Sequence, residues 1–118
     1  MTLEVVHVAE AFCSHRFAET YPYMAEDINW DIVGKEVRVG REAVINSCSQ
    51  AASFLETVSA TRSKLKIHRA EACVVVEGAA QFRDRDNEIS CVASCDVFQF
   101  SGERLVEITS YVVELNKT

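Results

Sequence analysis

The sequence is poor in the residues that most often mark turns and flexible linkers, with four glycines and one proline among 118 residues. No low-complexity segment, internal repeat or linker interrupts it, so we expect a single domain over residues 1–118. The glycines do not form a phosphate-binding loop, because Gly34 and Gly40 have the wrong spacing and no Lys-Ser or Lys-Thr pair follows. A nucleotide site of that kind is therefore excluded.

Basic residues are also in the minority. The chain has 12 Lys and Arg against 18 Asp and Glu, which gives a net charge of −6. Nucleic-acid binding needs a basic patch, and the Lys and Arg here are scattered along the chain. We therefore expect no nucleic-acid partner, and small neutral or cationic ligands fit this overall charge better.

A long apolar segment is missing as well. No stretch approaches the roughly 20 apolar residues that a membrane span requires. The first ten residues include Glu4 and Glu10 and have no basic head, so they do not resemble a signal peptide. We expect a cytoplasmic protein without a membrane partner.

The five cysteines do not suggest disulfides or a redox motif. Their number is odd, and no Cys-x-x-Cys is present. Cys91 and Cys95 would lie about 13 Å apart on one strand, at roughly 3.3 Å per residue, which is too far for a bridge. In the cytoplasm they should be reduced, buried structural thiols.

Two amphipathic helices are predicted, over residues 3–19 and 41–58. Apolar residues recur in the first at three- and four-residue spacing, with His7 opposite this stripe and His15 on its flank. His15 is therefore the histidine expected to reach a pocket. His7 and Glu4 form a single Glu-x-x-His pattern, which is too little for a carboxylate-bridged metal site. No metal and no cofactor are expected.

The rest of the chain has the alternation of β-strands. A strand over residues 27–33 is followed by a short return through residues 35–40, and longer strands begin near residue 62 and at Cys73. Residues 88–100 and 104–115 then form a hairpin. Helices followed by long strands predict an α+β fold, in which the helices pack on one face of a curved antiparallel sheet.

The final hairpin places Asp96 inside an apolar wall. If its loop has three residues, Asp96 pairs with Ile108, Ser94 with Ser110 and Phe98 with Val106. That face carries one carboxylate and two hydroxyls among apolar side chains. The opposite face is also apolar: Cys91, Ala93, Cys95, Val97, Leu105, Thr109, Tyr111 and Val113. Because the helices cover only one face, we expect a second subunit on the other, with outward-facing Glu77 pairing across that interface.

Three short motifs in this order, Ile28-Asn-Trp30 with Gly34, Gly40-Arg-Glu-Ala, and Asp96-Val-Phe-Gln-Phe-Ser-Gly102, resemble the nuclear transport factor 2-like superfamily, and specifically its SnoaL-like members. The resemblance covers nearly the whole chain. It implies a conical α+β barrel with a pocket between helices and concave sheet, and a homodimer paired through the outer sheet face.

The resemblance also implies roles for particular residues. The segment around Asp96 is similar to the stretch of steroid delta-isomerase whose aspartic acid stays protonated and donates a hydrogen bond to the substrate oxyanion. Asp31 resembles that enzyme's proton-shuttling carboxylate, although the alternation around Trp30 points Asp31 outward. The isomerase also uses a tyrosine in its first helix; residues 3–19 contain none, and His15 is the substitute.

Two functions remain open. The first is a protein that binds a small apolar ligand, in a pocket lined by Trp30, Phe54, Ser94, Phe98, Ile108 and Ser110. The second is a cofactor-independent isomerase, cyclase or dehydratase, in which Asp96 is the acid and Asp31 or His15 moves a proton. In the alternative without a function, Asp96 is a structural carboxylate that is hydrogen-bonded to Ser94, Ser110 or a backbone amide. Acid–base chemistry needs a second titratable group facing Asp96.

Overall fold

A computed structural model describes residues 3–115 of the chain. It contains two α-helices, one 3-10 helix over Phe17–Tyr23, and six strands. The α-helices are α1 (Leu3–Cys13) and α2 (Arg41–Leu55), and the strands are β1 (Met24–Ile32), β2 (Glu36–Val39), β3 (Ser59–Ala70), β4 (Cys73–Arg83), β5 (Ile89–Ser101) and β6 (Arg104–Leu115). Within the described range, no helix has the length and apolar character needed to cross a membrane.

The six strands form one sheet in the order β2-β1-β6-β5-β4-β3. Every pair is antiparallel except β1 and β6, which run parallel. The α+β class is confirmed, but the sheet is mixed rather than wholly antiparallel. Side-chain periodicity reports which residues share a face and not which strands become neighbours, so this long-range parallel pair left no signal in the sequence.

The predicted first helix was too long. α1 ends at Cys13, and His15 follows in a left-handed conformation with φ 67°. The Arg16 amide donates to the Ala11 carbonyl at 2.8 Å and the His15 amide to the Phe12 carbonyl at 3.1 Å, which together form a Schellman cap. Glycine usually occupies this left-handed position. With a histidine there, the sequence contains no signal that the helix ends.

The core lies between α1 and the sheet. Phe12 packs edge-on against Trp30 and Phe98, with ring centroids 5.1 and 5.5 Å apart. Phe98 and Ile108 are fully buried beneath it. These contacts fix the position of the end of α1 over the middle of the sheet, because an aromatic cluster of this kind contributes both burial and edge-to-face attraction.

The register of the final hairpin differs from the prediction by two residues. Asp96 pairs with Ser110, not Ile108, and Phe98 pairs with Ile108. A shift of two preserves the faces, so Asp96, Ser94 and Ser110 still share one side. Leu105 is the exception: an irregularity after Gln99 pairs it with Phe100, and it is fully buried in the core rather than on the outer face.

Candidate functional site

A cavity of about 350 Å³ lies between the helices and the inner face of the sheet. Most of its lining is apolar, with contributions from the end of α1, the second half of α2 and strands β1 and β3 to β6. Ligand sites in proteins commonly occupy about 300–1,000 Å³ and are mostly apolar with a few polar groups. This cavity is large enough for a small organic molecule.

The polar groups at the base of the cavity form a hydrogen-bonded chain. The indole Nε1 of Trp30 donates to Ser110 Oγ at 2.9 Å, and Ser110 Oγ donates to Asp96 Oδ1 at 2.5 Å. The thiol of Cys13 donates to Asp96 Oδ2 at 3.6 Å. Asp96 thus receives one strong and one weak hydrogen bond, on different oxygens.

The direction of this chain starts at Trp30. An indole nitrogen can only donate, so Ser110 accepts from Trp30, and its own hydrogen is directed at Asp96 Oδ1. In this arrangement Oδ1 is an acceptor. A proton on Asp96 belongs on Oδ2, where the neighbour is a weakly accepting sulfur.

Burial in this apolar wall raises the pKa of Asp96, and the hydrogen bonds from Ser110 and Cys13 only partly oppose the shift. Burial raises the pKa of the Cys13 thiol well above its ordinary value, and the negative charge of Asp96 raises it further. The Cys13 side chain therefore stays a neutral, unreactive thiol, because only the thiolate is a good nucleophile. The base of the cavity therefore shifts Asp96 toward its protonated form relative to an exposed aspartate.

The mouth of the cavity carries different groups. Arg62 donates to the Cys13 carbonyl oxygen at 2.7 Å and to Ser14 Oγ at 3.0 Å, and His15 lies at the same rim. Burial lowers the pKa of His15, and the positive charge of Arg62 lowers it further. His15 is thus a neutral imidazole near pH 7. In the described part of the chain, no three His, Cys, Asp or Glu side chains cluster as a metal site would require.

The predicted site residues divide into two groups. Six of them line the cavity: His15, Trp30, Phe54, Ser94, Asp96 and Ser110. Phe98 and Ile108 lie fully buried in the core and are not among the lining side chains. Asp31 does not line the cavity either, because its neighbours Trp30 and Ile32 face inward and strand side chains alternate.

Among the lining residues that the sequence analysis did not name, two have polar side chains, Cys13 and Arg62. Cys13 was part of the apolar stripe of the first helix, and nothing in the sequence distinguished a thiol facing Asp96 from one packed in the core. Arg62 turns inward through an irregularity in β3 between Arg62 and Lys64. Such a bulge changes the face of one residue and has no sequence pattern here that reveals it.

Comparison with known proteins gives matches through structure alone: no protein-family model and no curated protein matches the sequence. An NTF2-like protein of unknown function from Cytophaga hutchinsonii ATCC 33406 is similar with a TM-score of 0.83 and 25% identity, over 93% of this chain and 96% of that one. An LEH-like epoxide hydrolase of M. tuberculosis has a TM-score of 0.69 and 18% identity, over 95% and 84%.

A protein of Jannaschia sp. CCS1, described provisionally as a SnoaL-like polyketide cyclase, has a TM-score of 0.69 and 10% identity, over 92% of this chain and 85% of that one. At such low identity, it and the epoxide hydrolase establish a shared fold and not a shared activity. The matched fold extends over nearly the full length of each protein. The chain belongs to the nuclear transport factor 2-like superfamily, whose fold the SnoaL-like proteins share.

Proposed function

We propose that this protein binds a small, mostly apolar molecule that carries an oxygen atom, and that Asp96 donates a hydrogen bond to this oxygen. The observation that carries the proposal is the chain from Trp30 through Ser110 to Asp96 at the base of an apolar cavity. In this chain Oδ1 accepts the hydrogen bond from Ser110, so the proton of a protonated carboxyl lies on Oδ2. A ligand oxygen is a much better acceptor for that proton than the sulfur of Cys13.

A purely structural role accounts less well for Asp96. An ionised carboxylate can accept about four hydrogen bonds. From the described residues, Asp96 receives one from a hydroxyl and a weak one from a thiol. Burying a charge with so few partners is costly, whereas a protonated carboxyl lacks only an acceptor for its own hydrogen. The arrangement therefore favours a neutral acid whose proton is available for a hydrogen bond to a ligand.

The proposal is tested with two aromatic probes of similar shape, 1-acetonaphthone, which has a carbonyl, and 1-ethylnaphthalene, which has no oxygen. Trp30 is the single tryptophan of the chain and lines the cavity, so quenching of its fluorescence reports binding. We expect the ketone to bind about fivefold more tightly, as one net hydrogen bond allows. The preference should fall as pH rises through the pKa of Asp96.

Two variants sharpen this test. Asp96→Asn keeps an acceptor for Ser110 and places an amide donor in the position of Oδ2, so it should retain the preference for the ketone at every pH. Asp96→Leu should abolish the preference. A wild-type protein with no preference, or one whose preference grows with pH, would overturn the proposal.

A second candidate is the cofactor-independent isomerase, cyclase or dehydratase. It is supported by His15, which lines the same cavity and is neutral near pH 7, as a base must be. His15 would take a proton from the carbon beside a carbonyl while Asp96 Oδ2 donates to the developing enolate oxygen. Asp31 faces away from the cavity, so the proton-moving role is assigned to His15 alone. Exchange of the methyl protons of 1-acetonaphthone in D₂O, with loss of that exchange in His15→Gln, tests it.

We further propose that a second copy of the chain covers the outer sheet face. Within residues 3–115, that face carries no helix, and Tyr111 and Val113 on it are 47% and 57% exposed. Charged residues of both signs lie around this face: Glu77 accepts hydrogen bonds from Lys64 and His68 of its own chain. Pairing of Glu77 across an interface stays a prediction. A self-complementary face of this kind suits a two-fold dimer. Sedimentation should give a dimer that Tyr111→Lys converts to a monomer.

A further inference from the structure

The two ends of the cavity differ in charge. Asp96 lies at the base, whereas Arg62 lies at the mouth and is the one Arg or Lys among the lining residues within the described range. The whole chain has a net charge of −6, which by itself favours neutral or cationic ligands. At the mouth of the cavity this balance is locally reversed, because a permanently charged guanidinium stands beside a neutral imidazole, His15.

The Arg62 guanidinium is held in place but makes no direct ion pair within the described residues; the nearby Glu10 accepts from Ser14 and pairs with Arg16 instead. Its two hydrogen bonds go to uncharged oxygens, the Cys13 carbonyl and the Ser14 hydroxyl. Among residues 3–115, no carboxylate lies within ion-pair distance of it. Arg16, which follows α1, differs in this respect, because Glu10 and Glu19 both pair with it.

An arginine held in this way is preorganised to bind an anion. Two of its donors anchor it to the end of α1, so little side-chain freedom remains to be lost when a ligand binds. A guanidinium has five N–H donors, and those left over form a fork suited to carboxylate, sulfonate or phosphate oxygens. The neighbouring cavity surface is apolar, which strengthens a charged hydrogen bond relative to open water.

We propose that the ligand is an apolar organic acid whose anionic group binds Arg62 at the mouth while its apolar body fills the cavity. This inference rests on the proposed binding function and assigns its ligand class. The competing structural role of Arg62 is to satisfy the last carbonyls of α1 and to complement the helix dipole. That role predicts a loss of stability on mutation but no discrimination between charged and neutral ligands.

The test uses two probes with the same ring system: 8-anilinonaphthalene-1-sulfonate, an anion, and N-phenyl-1-naphthylamine, its neutral counterpart. Binding is followed by energy transfer from Trp30 and confirmed by calorimetry. In Arg62→Gln, the Kd for the sulfonate should rise about tenfold, as expected for the loss of one charge-assisted contact. The Kd for the neutral probe should change by less than about twofold.

Arg104→Gln is the matched control, because Arg104 also donates to backbone carbonyls, those of Pro22 and Met24, and does not line the cavity. It removes the same charge and should leave both Kd values unchanged. If Arg62→Gln fails to fold, Arg62→Lys carries the test: it keeps the charge but loses the planar fork, so the Kd for the sulfonate alone should rise by about threefold.

The outcomes separate this inference from the function beneath it. A loss confined to the sulfonate supports both. Equal changes for the two probes, or no change for either, would overturn the anion site and leave the binding function standing. Absence of binding by both probes in the wild-type protein would overturn this inference, whereas the proposed function is decided separately by the comparison of 1-acetonaphthone with 1-ethylnaphthalene.

Discussion

Ser110 and Asp96 lie directly opposite each other on strands β6 and β5, and the Ser110 hydroxyl donates to Asp96 Oδ1 at 2.5 Å. The same hydroxyl accepts from Trp30, so a single serine connects the indole of β1 to the carboxyl of β5. This connection joins three strands across the base of the cavity. With Ser110 donating, Oδ1 is an acceptor and a carboxyl proton lies on Oδ2.

Removal of the serine should therefore raise the pKa of Asp96. In Ser110→Ala the hydrogen bond that lowers this pKa is lost, while the burial that raises it remains. The Trp30 N–H also loses its partner, so the free energy of unfolding should fall by about 1–3 kcal/mol. Carboxyl NMR titration and urea denaturation measure the two effects. Ser94→Ala, in the same cavity wall, is the control and should leave the pKa unchanged.

The stability of the protein should carry a signature of Asp96 in its pH dependence. A raised pKa in the folded state means that the protonated form favours folding, so this contribution is present at low pH and is lost as pH rises through the folded pKa. The difference in unfolding free energy between wild type and Asp96→Asn should therefore shift against the wild type on going from acid to neutral pH, by about 1.4 kcal/mol per unit of pKa shift.

The comparison with Asp96→Asn is needed because Glu10 and Glu77 act in the opposite direction. Their pKa values are lowered, chiefly by hydrogen bonds from Arg16 and His68 respectively, so any stability they contribute is lost as pH falls. Both remain in the variant and cancel in the difference. A difference that is flat with pH, or that moves in favour of the wild type as pH rises, would show that burial does not raise the Asp96 pKa.

Replacement of His15 by glycine should stabilise the protein. His15 has φ 67°, a conformation that glycine adopts without steric cost. His15→Gly should raise the unfolding free energy by about 1 kcal/mol, measured by urea denaturation. Ala72→Gly is the matched control away from the cavity, since Ala72 has φ 60° and should gain a similar amount. If only Ala72→Gly stabilised the protein, the cavity would be using the His15 side chain for packing.

Thiol labelling should distinguish the cysteines by their surroundings. Cys48 is fully buried and burial raises its pKa to about 12, so an alkylating reagent at pH 8 should leave it unmodified until the protein unfolds. Cys13 should react slowly for the same reason, and an organic ligand in the cavity should slow it further. Mass spectrometry of digests gives the rate at each site. Faster labelling of Cys13 in the presence of ligand would contradict its position in the binding cavity.

Much of the fold could be predicted because alternation and helical periodicity are local properties. The face shared by Asp96 and Ser110 was predicted correctly despite a wrong loop length, since a register shift of two leaves side chains on the same face, with Leu105 at the irregularity as the exception. The same reasoning placed Asp31 outward, against the role that family resemblance implied for it. The parallel pairing of β1 with β6 joins distant parts of the chain, and no local pattern encodes it.

The candidate site was less accessible to sequence reasoning. The sequence identified Asp96 as a candidate because a carboxylate in an apolar strand is costly, and Ser110 was one of its expected partners. Its contact with Cys13 depended on packing between α1 and β5 that only the folded chain reveals. Arg62 reaches the mouth through a bulge, and His15 through a cap in which histidine replaces the usual glycine. In both cases the backbone departs from the regular geometry on which pattern reasoning relies.

The most direct test of this account is the pKa of the Asp96 carboxyl, measured by carbon NMR titration with Asp96→Asn to assign the signal. The account predicts a value clearly above the ordinary 3.8, and a further rise when 1-acetonaphthone occupies the cavity, because the ligand accepts a hydrogen bond from the protonated form alone. A value at or below 3.8 that does not respond to the ketone would contradict it. Asp96 would then be an ionised carboxylate held by Ser110 and Cys13, with no donor to offer a ligand.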